Sequence, residues 1–145
     1  MSKSTFEEQL KQKGVLIYTN VGTSMRPLIR QGKDVMIITR PKQWEAGGRK
    51  LKKMDVPLYK RDSGQYVLHR VVKVNENDYV LRGDNTYSNE TGITDEHILG
   101  VLTGVIRNGK EISVNSFSYQ LYSYVWYYTY YIRKLVVWMK RKIKG

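Results

Sequence analysis

The chain has no cysteine and only two histidines among its 145 residues. The absence of cysteine excludes disulfides, thiolate zinc sites and cysteine nucleophiles. Two histidines argue against a His-rich metal site, and we expect neither a metal nor another cofactor. The first residues, MSKSTFEEQLKQKG, lack the apolar run of a secretory signal peptide. If the chain has a catalytic nucleophile, a hydroxyl group is the first candidate.

Acidic residues are also scarce, and none follows Glu111, so that the formal net charge is +12. This excess favours an anionic partner, either nucleic acid or a lipid surface. Seven of the twelve tyrosines lie between Tyr119 and Tyr131. We therefore divide the chain into a globular domain, residues 1–115, and a basic, aromatic-rich segment, residues 116–145.

Residues 15–115 show mainly β-strand patterns separated by short turns. GQYVLHRVVKV predicts the longest strand, and it is followed by a turn and a partner strand that ends in RGD. The Asn-Gly pair in GVLTGVIRNGKEISV predicts a second hairpin. Pro57 places DVPLYKR at a sheet edge or a bulge. We expect a mainly β fold, a coiled barrel or sandwich, with a short N-terminal helix that has Ser4 and Glu7 at capping-box spacing and stops at Gly14.

The stretch VGTSMRPLI sets Ser24 between a glycine and a proline, which alone indicates a capped turn. A serine nucleophile needs a base within reach, usually histidine or lysine. His69 interrupts an apolar strand, and strict alternation predicts a partly buried ring. A histidine satisfied by a backbone carbonyl would show the same pattern. His97, in TDEHIL, lies among acidic residues and is the weaker candidate.

Two carboxylates follow on the strand and loop beyond His69. Asp84 ends the strand that pairs with the His69 strand, and a hairpin brings such residues close in space. Glu90 lies six residues further along the same loop and could fold back. Gly-Asp-Asn is also ordinary turn chemistry, so that the position of Asp84 alone does not indicate catalysis.

The order of these stretches resembles the signal peptidase family, in the endoplasmic-reticulum and archaeal branch whose base is histidine. The resemblance covers roughly residues 15 to 107 and rests on three boxes in order. These boxes are Gly22-Thr23-Ser24-Met25-Arg26-Pro27, His69-Arg70-Val71 and Gly83-Asp84-Asn85. It implies the peptidase fold that signal peptidases share with the self-cleaving SOS-response repressors.

The resemblance implies that Ser24 is the nucleophile and His69 the general base of a serine endopeptidase. Asp84 matches the acidic box, and Glu90 stands where the family has a second acid; we rank Asp84 first as the group that orients His69. The activity should fall below a pH of about 6.5, the unperturbed histidine pKa.

The resemblance also implies backbone donors around Ser24, with Thr23 and Met25 as the oxyanion or substrate-binding residues. Gly22 stands where some bacterial members carry a hydroxyl donor. The substrate would be a signal or leader peptide, bound extended along a strand edge with small residues on the acyl side of the cut.

Two other functions stay open. The first is a non-catalytic peptide-binding or repressor-like module of the same fold. The second is a nucleic-acid-binding protein, which the charge favours; no recognised nucleic-acid motif appears, and we do not expect this partner.

The segment from 116 to 145 has no proline, and no glycine before its last residue. Phe117, Leu121, Tyr124, Tyr128 and Leu135, with Trp138 or Met139, fall near one helical face. Arg133 and Lys134 interrupt a spanning pattern, so we expect an amphipathic helix on an anionic membrane surface, where each nearby basic residue adds about 1 kcal/mol. A helix packed on its own domain or on a partner is the alternative. With no N-terminal signal to export the domain, we expect attachment at the cytoplasmic face.

Overall fold

The computed structural model describes residues 5–19, 22 and 24–144. In this part of the chain nine strands form two antiparallel sheets, one of them curled into a half-barrel, and three α-helices flank them. The fold is therefore mainly β, as the sequence predicts. The strands are β1 Val15–Thr19, β2 Val35–Thr39, β3 Pro57–Lys60, β4 Tyr66–Leu68, β5 Arg70–Val74, β6 Tyr79–Arg82, β7 Glu90–Ile93, β8 Ile98–Arg107 and β9 Lys110–Ser113. The α-helices are α1 Phe6–Lys13, α2 Phe117–Tyr128 and α3 Tyr130–Lys144.

The larger sheet has the order β1-β2-β8-β3-β4, with β9 paired to β8, and the smaller sheet has the order β5-β6-β7. Every pairing along the larger sheet is antiparallel. Four successive reversals make its two end strands, β1 and β4, run in the same direction. β1 leads towards Ser24 and β4 leads directly into His69, so that both ends of the sheet point to the predicted site.

The turns and the helix end that short sequence motifs predict are present in the structure. Gly14 ends α1 in the left-handed region at φ 75°, as predicted. The helix is capped by Thr5, whose hydroxyl accepts from the Glu8 N–H, and Ser4 lies outside the described residues. Asn108 and Gly109, both with positive φ, form the predicted tip between β8 and β9. The predicted hairpin of β5 and β6 is also confirmed.

Two strand predictions need correction, and for Pro57 the structure decides between the two predicted alternatives, an edge and a bulge. The strand predicted to be the longest is broken at His69, where the chain passes from the larger sheet to the smaller one, and β8 is longer. The stretch after Asn85, predicted as a loop, contains β7. β3 is an interior strand with a register shift between Leu58 and Tyr59, so that Pro57 marks a bulge and not an edge.

Two hydrophobic clusters share the strands β3 and β4. Leu58 and Leu68 face the first cluster, which also holds Leu10 of α1 and Tyr119 of α2. The adjacent residues Tyr59 and Val67 point to the opposite face of these strands and belong to the second cluster, which lies between the two sheets. Because side chains alternate along a strand, Tyr59 points from β3 into this second cluster, on the side of His69.

The C-terminal segment forms two helices, interrupted at Thr129. α2 packs on the β domain, with Tyr119 and Ser123 buried, whereas α3 is buried only at Tyr130. Within the described residues, no helix combines the length and the apolar character needed to cross a membrane.

Candidate active site

Ser24 lies at the start of a tight turn that is fastened to the core. Met25 and Ile29 are fully buried, and the Ile29 N–H donates to the Met25 carbonyl at 3.0 Å. The buried carboxylate of Asp34 binds Arg107 at 2.8 Å, and Arg107 in turn donates to the Leu28 carbonyl at 2.6 Å. Ser24 itself stays half-buried. The turn is therefore held from within while its serine remains accessible.

His69 comes to this turn through the β5–β6 pairing. Arg70 is opposite Arg82 in the register, so that the next residues outwards, His69 and Gly83, face each other where the two strands end. A Cβ atom placed on Gly83 would lie 2.6 Å from the Ser24 carbonyl oxygen and 3.0 Å from His69 Nε2. Only glycine fits at this position, because any side chain would push Ser24 and the imidazole apart.

The neighbouring chain segment completes this contact. The Asn85 N–H donates to the Ser24 carbonyl at 2.7 Å. Within the described residues, no hydrogen bond joins Ser24 Oγ to a ring nitrogen of His69. The backbone of Ser24 and the Nε2 edge of His69 thus converge on one glycine.

The other side of the imidazole meets a tyrosine and a carboxylate. Tyr59 Oη lies 3.3 Å from His69 Nδ1 and donates to Glu90 Oε1 at 2.6 Å. Since a phenol has one proton and Glu90 accepts it, Tyr59 can only accept from His69. We therefore assign the proton of neutral His69 to Nδ1, which leaves the Nε2 lone pair directed to the Gly83–Ser24 side.

Glu90 is kept ionised by an arginine at the rim of the site. Arg61 binds both carboxylate oxygens, at 2.8 and 2.9 Å. Although burial opposes it, hydrogen bonding from Arg61 and Tyr59 holds the pKa of Glu90 below its usual value. The same carboxylate, with burial as the larger cause, raises the pKa of Tyr59 well above its usual range. Tyr59 thus stays protonated and links a fixed anion to the histidine.

Burial is the largest cause that lowers the pKa of His69 to about 4, and the nearby Arg61 charge acts in the same direction. The charges of Glu90 and Asp84 act against this shift. The imidazole is therefore neutral, and able to accept a proton, at pH values well below the 6.5 that the sequence alone predicts.

Asp84 has a different setting, although we ranked it before Glu90. Its two oxygens bind the Arg70 guanidinium, both at 2.9 Å, and Tyr122 donates to Oδ2 at 2.7 Å. Trp126 of α2 donates to its carbonyl at 2.6 Å. The structure thus brings Glu90, and not Asp84, to His69 through hydrogen bonds, because Arg70 and α2 occupy the Asp84 carboxylate.

The remaining predicted residues are placed as follows. The Met25 side chain lies in the core, where its sulfur accepts from the Asp84 N–H at 3.3 Å, so that only its backbone faces the site. Thr23 lies outside the described residues. His97 is 2.9 Å from Asp62 and forms part of the turn capped by Thr94, away from Ser24.

Sequence reasoning missed Tyr59 and Arg61, which contact His69 and Glu90. The available signal was a tyrosine inside the apolar run VPLYKR: a buried tyrosine normally finds a partner for its hydroxyl. That the partners are His69 and Glu90 depends on how β3 pairs with β4 and faces β7, which no short-range pattern specifies.

Comparison of the chain with protein-family models, with curated proteins and with solved structures found no match. Within the described residues, no group of three His, Cys, Asp or Glu side chains is arranged to hold a metal ion. The function must therefore be argued from the geometry around Ser24 and from the three boxes in the sequence.

Proposed function

We propose that the chain is a serine endopeptidase of the signal peptidase type, with Ser24 as nucleophile and His69 as general base. One observation carries the proposal: the Ser24 backbone and His69 Nε2 meet at Gly83, where a Cβ would lie within 3.0 Å of both. The unprotonated nitrogen of the assigned tautomer is the one on this side. A base oriented by a fixed acid beside a serine is the arrangement that nucleophilic catalysis requires.

The proposed reaction requires a hydrogen bond between Ser24 Oγ and His69 Nε2. Catalytic hydrogen bonds are often long or unformed in free enzymes and tighten when substrate binds. We expect substrate binding to form the hydrogen bond between Ser24 Oγ and His69 Nε2 while Asp34 and Arg107 keep the turn anchored.

In the proposed reaction, Ser24 Oγ attacks the peptide carbonyl carbon while its proton passes to His69 Nε2. On the Nδ1 side, the Tyr59 hydroxyl accepts a hydrogen bond from the positive imidazolium, and the negative charge of Glu90 stabilises it. The proton then goes to the leaving amine as the C–N bond breaks, which leaves an acyl-enzyme. Water attacks the ester, gives its proton to His69, and releases the acid as that proton returns to Ser24. Backbone N–H groups at Ser24 and Met25 would bind the oxyanion.

Substrate would bind between the two end strands of the larger sheet. Within the described residues, β1 pairs only with β2 and β4 only with β3, so each keeps one free edge. Both strands run towards the site, and an extended peptide between them could bond to either backbone. Phe6 lies between these edges, with its ring centroid 5.0 Å from Tyr18 and 4.8 Å from Tyr66, and offers an apolar floor.

Asp84 contributes as a positioning residue. Its bonds to Arg70, Tyr122 and Trp126 fix the segment that carries Gly83 and Asn85. This segment separates the Ser24 carbonyl from the imidazole, so that its position sets the distance between nucleophile and base.

The test is cleavage of a mixed peptide library that includes leader-like peptides with small residues before the cut. We expect the wild-type chain to cut a subset of peptides and Ser24→Ala and His69→Ala to lose at least about a thousandfold of that rate. His97→Ala is the matched control and should keep the activity.

Full cleavage by Ser24→Ala would disprove the proposal. Peptide binding without cleavage by the folded wild-type chain would instead favour the non-catalytic peptide-binding module.

A further inference from the structure

The two C-terminal helices present their apolar face to solvent and not to the domain. Among the residues of α3, Tyr130 is buried and Arg133 and Val137 are half-buried, and these three mark the side nearest the domain. At 3.6 residues per turn, the seven exposed apolar residues occupy the opposite side, across roughly 160° of the helix. They are Tyr131, Ile132, Leu135, Val136, Trp138, Met139 and Ile143.

The same face continues along α2. Tyr119, Ser123 and Trp126 turn towards the domain, while five large apolar residues on the other side are exposed: Phe117, Leu121, Tyr124, Val125 and Tyr128. Thr129, with φ −96° and ψ 6°, ends α2, and hydrogen bonds from its N–H to Val125 and from the Arg133 N–H to its carbonyl connect the two helices. The exposed apolar sides of α2 and α3, about 18 Å and about 22 Å long, together form one apolar face.

This face, which we call the outer face, exposes twelve large apolar side chains of α2 and α3. Monomeric proteins rarely expose contiguous apolar patches above a few hundred Å². Beyond Arg133, α3 has little packing on the domain, and an isolated helix of this length is marginal in water. The outer face therefore needs a partner that covers it.

The charge of the helices defines that partner. No acidic residue follows Glu111, and α3 carries Lys134, Lys140, Arg141, Lys142 and Lys144. At 3.6 residues per turn, Lys134 and Lys140 lie on either side of the outer face, and Lys142 lies within its arc near the C-terminal end of α3. Lys142 Nζ lies 4.5 Å from the centre of the Trp138 ring, so that a cation and an aromatic ring are in contact on this face. Basic residues beside exposed Tyr and Trp match the headgroup region of an anionic bilayer, where amphipathic helices lie in the plane.

We propose that the outer face of α2 and α3 docks this protein, in the plane of the surface, on an anionic lipid bilayer. The inner side of α2 bonds to Asp84, next to Gly83. Bound in this way, the Ser24 site would stand about one helix diameter, roughly 10 Å, from the headgroups. The docking depends on the helices alone and holds whether or not Ser24 is a nucleophile.

Vesicle co-sedimentation of the full chain tests this proposal. We expect binding to vesicles of phosphatidylcholine with one-fifth phosphatidylglycerol, and at least about tenfold weaker binding to pure phosphatidylcholine. The double variant Leu135→Glu, Met139→Glu should lose at least about tenfold of the binding, because it places two acids in the outer face. On binding, the tryptophan emission should shift to shorter wavelength.

The matched control is Val15→Glu, Ile17→Glu, which makes the same change of charge at two exposed apolar positions of β1. It should bind vesicles as the wild type does. Equal vesicle binding by the Leu135, Met139 variant would overturn the proposal.

Two other results would also overturn it. One is binding to an oligonucleotide with no binding to either vesicle. The other is a dimer in light scattering that the Leu135, Met139 variant abolishes, again without vesicle binding. Circular dichroism of each variant shows whether the β domain is intact.

Discussion

Two carboxylates lie six residues apart in one hairpin extension, and their surroundings give them different roles. Asp84 and its partner Arg70 have side chains that are 3% and 2% exposed. Glu90 and its partner Arg61 form a similar two-oxygen contact, but their side chains are 25% and 32% exposed. The chemistry of the two pairs is the same, and burial is the difference.

The buried Asp84–Arg70 pair holds α2 on the β domain, whereas the half-exposed Glu90–Arg61 pair is placed to act on His69. The Asp84 pair fastens α2 to the domain through Tyr122 and Trp126. The Glu90 pair reaches His69 through Tyr59 while one side stays open to solvent. The acid that is nearest to one of the three boxes in sequence, Asp84, is therefore not the one that is connected to His69 by hydrogen bonds.

The largest effect should come from breaking the buried pair. Arg70→Met leaves the Asp84 charge buried without its partner, which we expect to lower the free energy of unfolding by about 3–5 kcal/mol. Arg61→Met breaks the rim pair and should cost at most about 1 kcal/mol, because solvent screens it. Urea denaturation of both variants measures the difference. Equal losses of stability would show that the two pairs do not differ as the structure indicates.

A smaller effect should follow from removing the Tyr59 hydroxyl, which touches His69 and Glu90. Tyr59→Phe should slow the reaction of Ser24 by about tenfold or more, because His69 loses its Nδ1 partner. Tyr79→Phe is the matched control: its hydroxyl also donates to a carboxylate, Asp95, at 2.5 Å, but outside the site. Both changes should destabilise the fold by about 1–3 kcal/mol. Equal reaction rates in the two variants would contradict a positioning role for Tyr59.

The smallest effect is expected from acidifying the solution from pH 7 to pH 5. With a His69 pKa of about 4, only about a tenth of the imidazole is protonated at pH 5. The kcat/KM of peptide cleavage should therefore fall by about a tenth, whereas a histidine with the usual pKa would lose most of it. A half-loss near pH 6.5 would contradict the burial of His69.

The same shift affects stability, since the unfolded chain binds the His69 proton at higher pH than the folded chain does. Between about pH 6.5 and pH 4 the unfolded state takes up more protons, so that stability should fall as the pH is lowered. The depressed pKa values of Asp34 and Glu90 add losses in the same direction, at lower pH.

Elements specified by a few neighbouring residues were predictable from the sequence. Gly14 ends a helix and Asn108-Gly109 closes a hairpin because each needs a backbone region that few residues adopt. The sequence also selected Ser24 and His69 as candidates from their boxes, and the structure brings the backbone of one and the ring of the other to Gly83. In both cases the signal is short in sequence.

Features that depend on pairing between distant strands were not predictable. The polar pair His69-Arg70 interrupts the apolar run of YVLHRVVKV, but it does not specify a change of sheet there, because that change depends on the pairing of β4 with β3 and of β5 with β6. The choice between Asp84 and Glu90 depends on where Arg70, Tyr59 and α2 come to lie. The sequence predicted that the apolar residues of this segment share one helical face. Which side of the helices packs on the domain is known only from the burial of Tyr119 and the bond of Trp126 to Asp84.

The most direct test of the central claim, that Ser24 is activated by His69, is labelling with a serine-reactive fluorophosphonate followed by intact-mass and peptide mapping. We predict one adduct on the folded chain, located at Ser24, lost in His69→Ala and retained in His97→Ala. The absence of an adduct on the folded wild-type chain, or labelling that His69→Ala leaves unchanged, would contradict the claim.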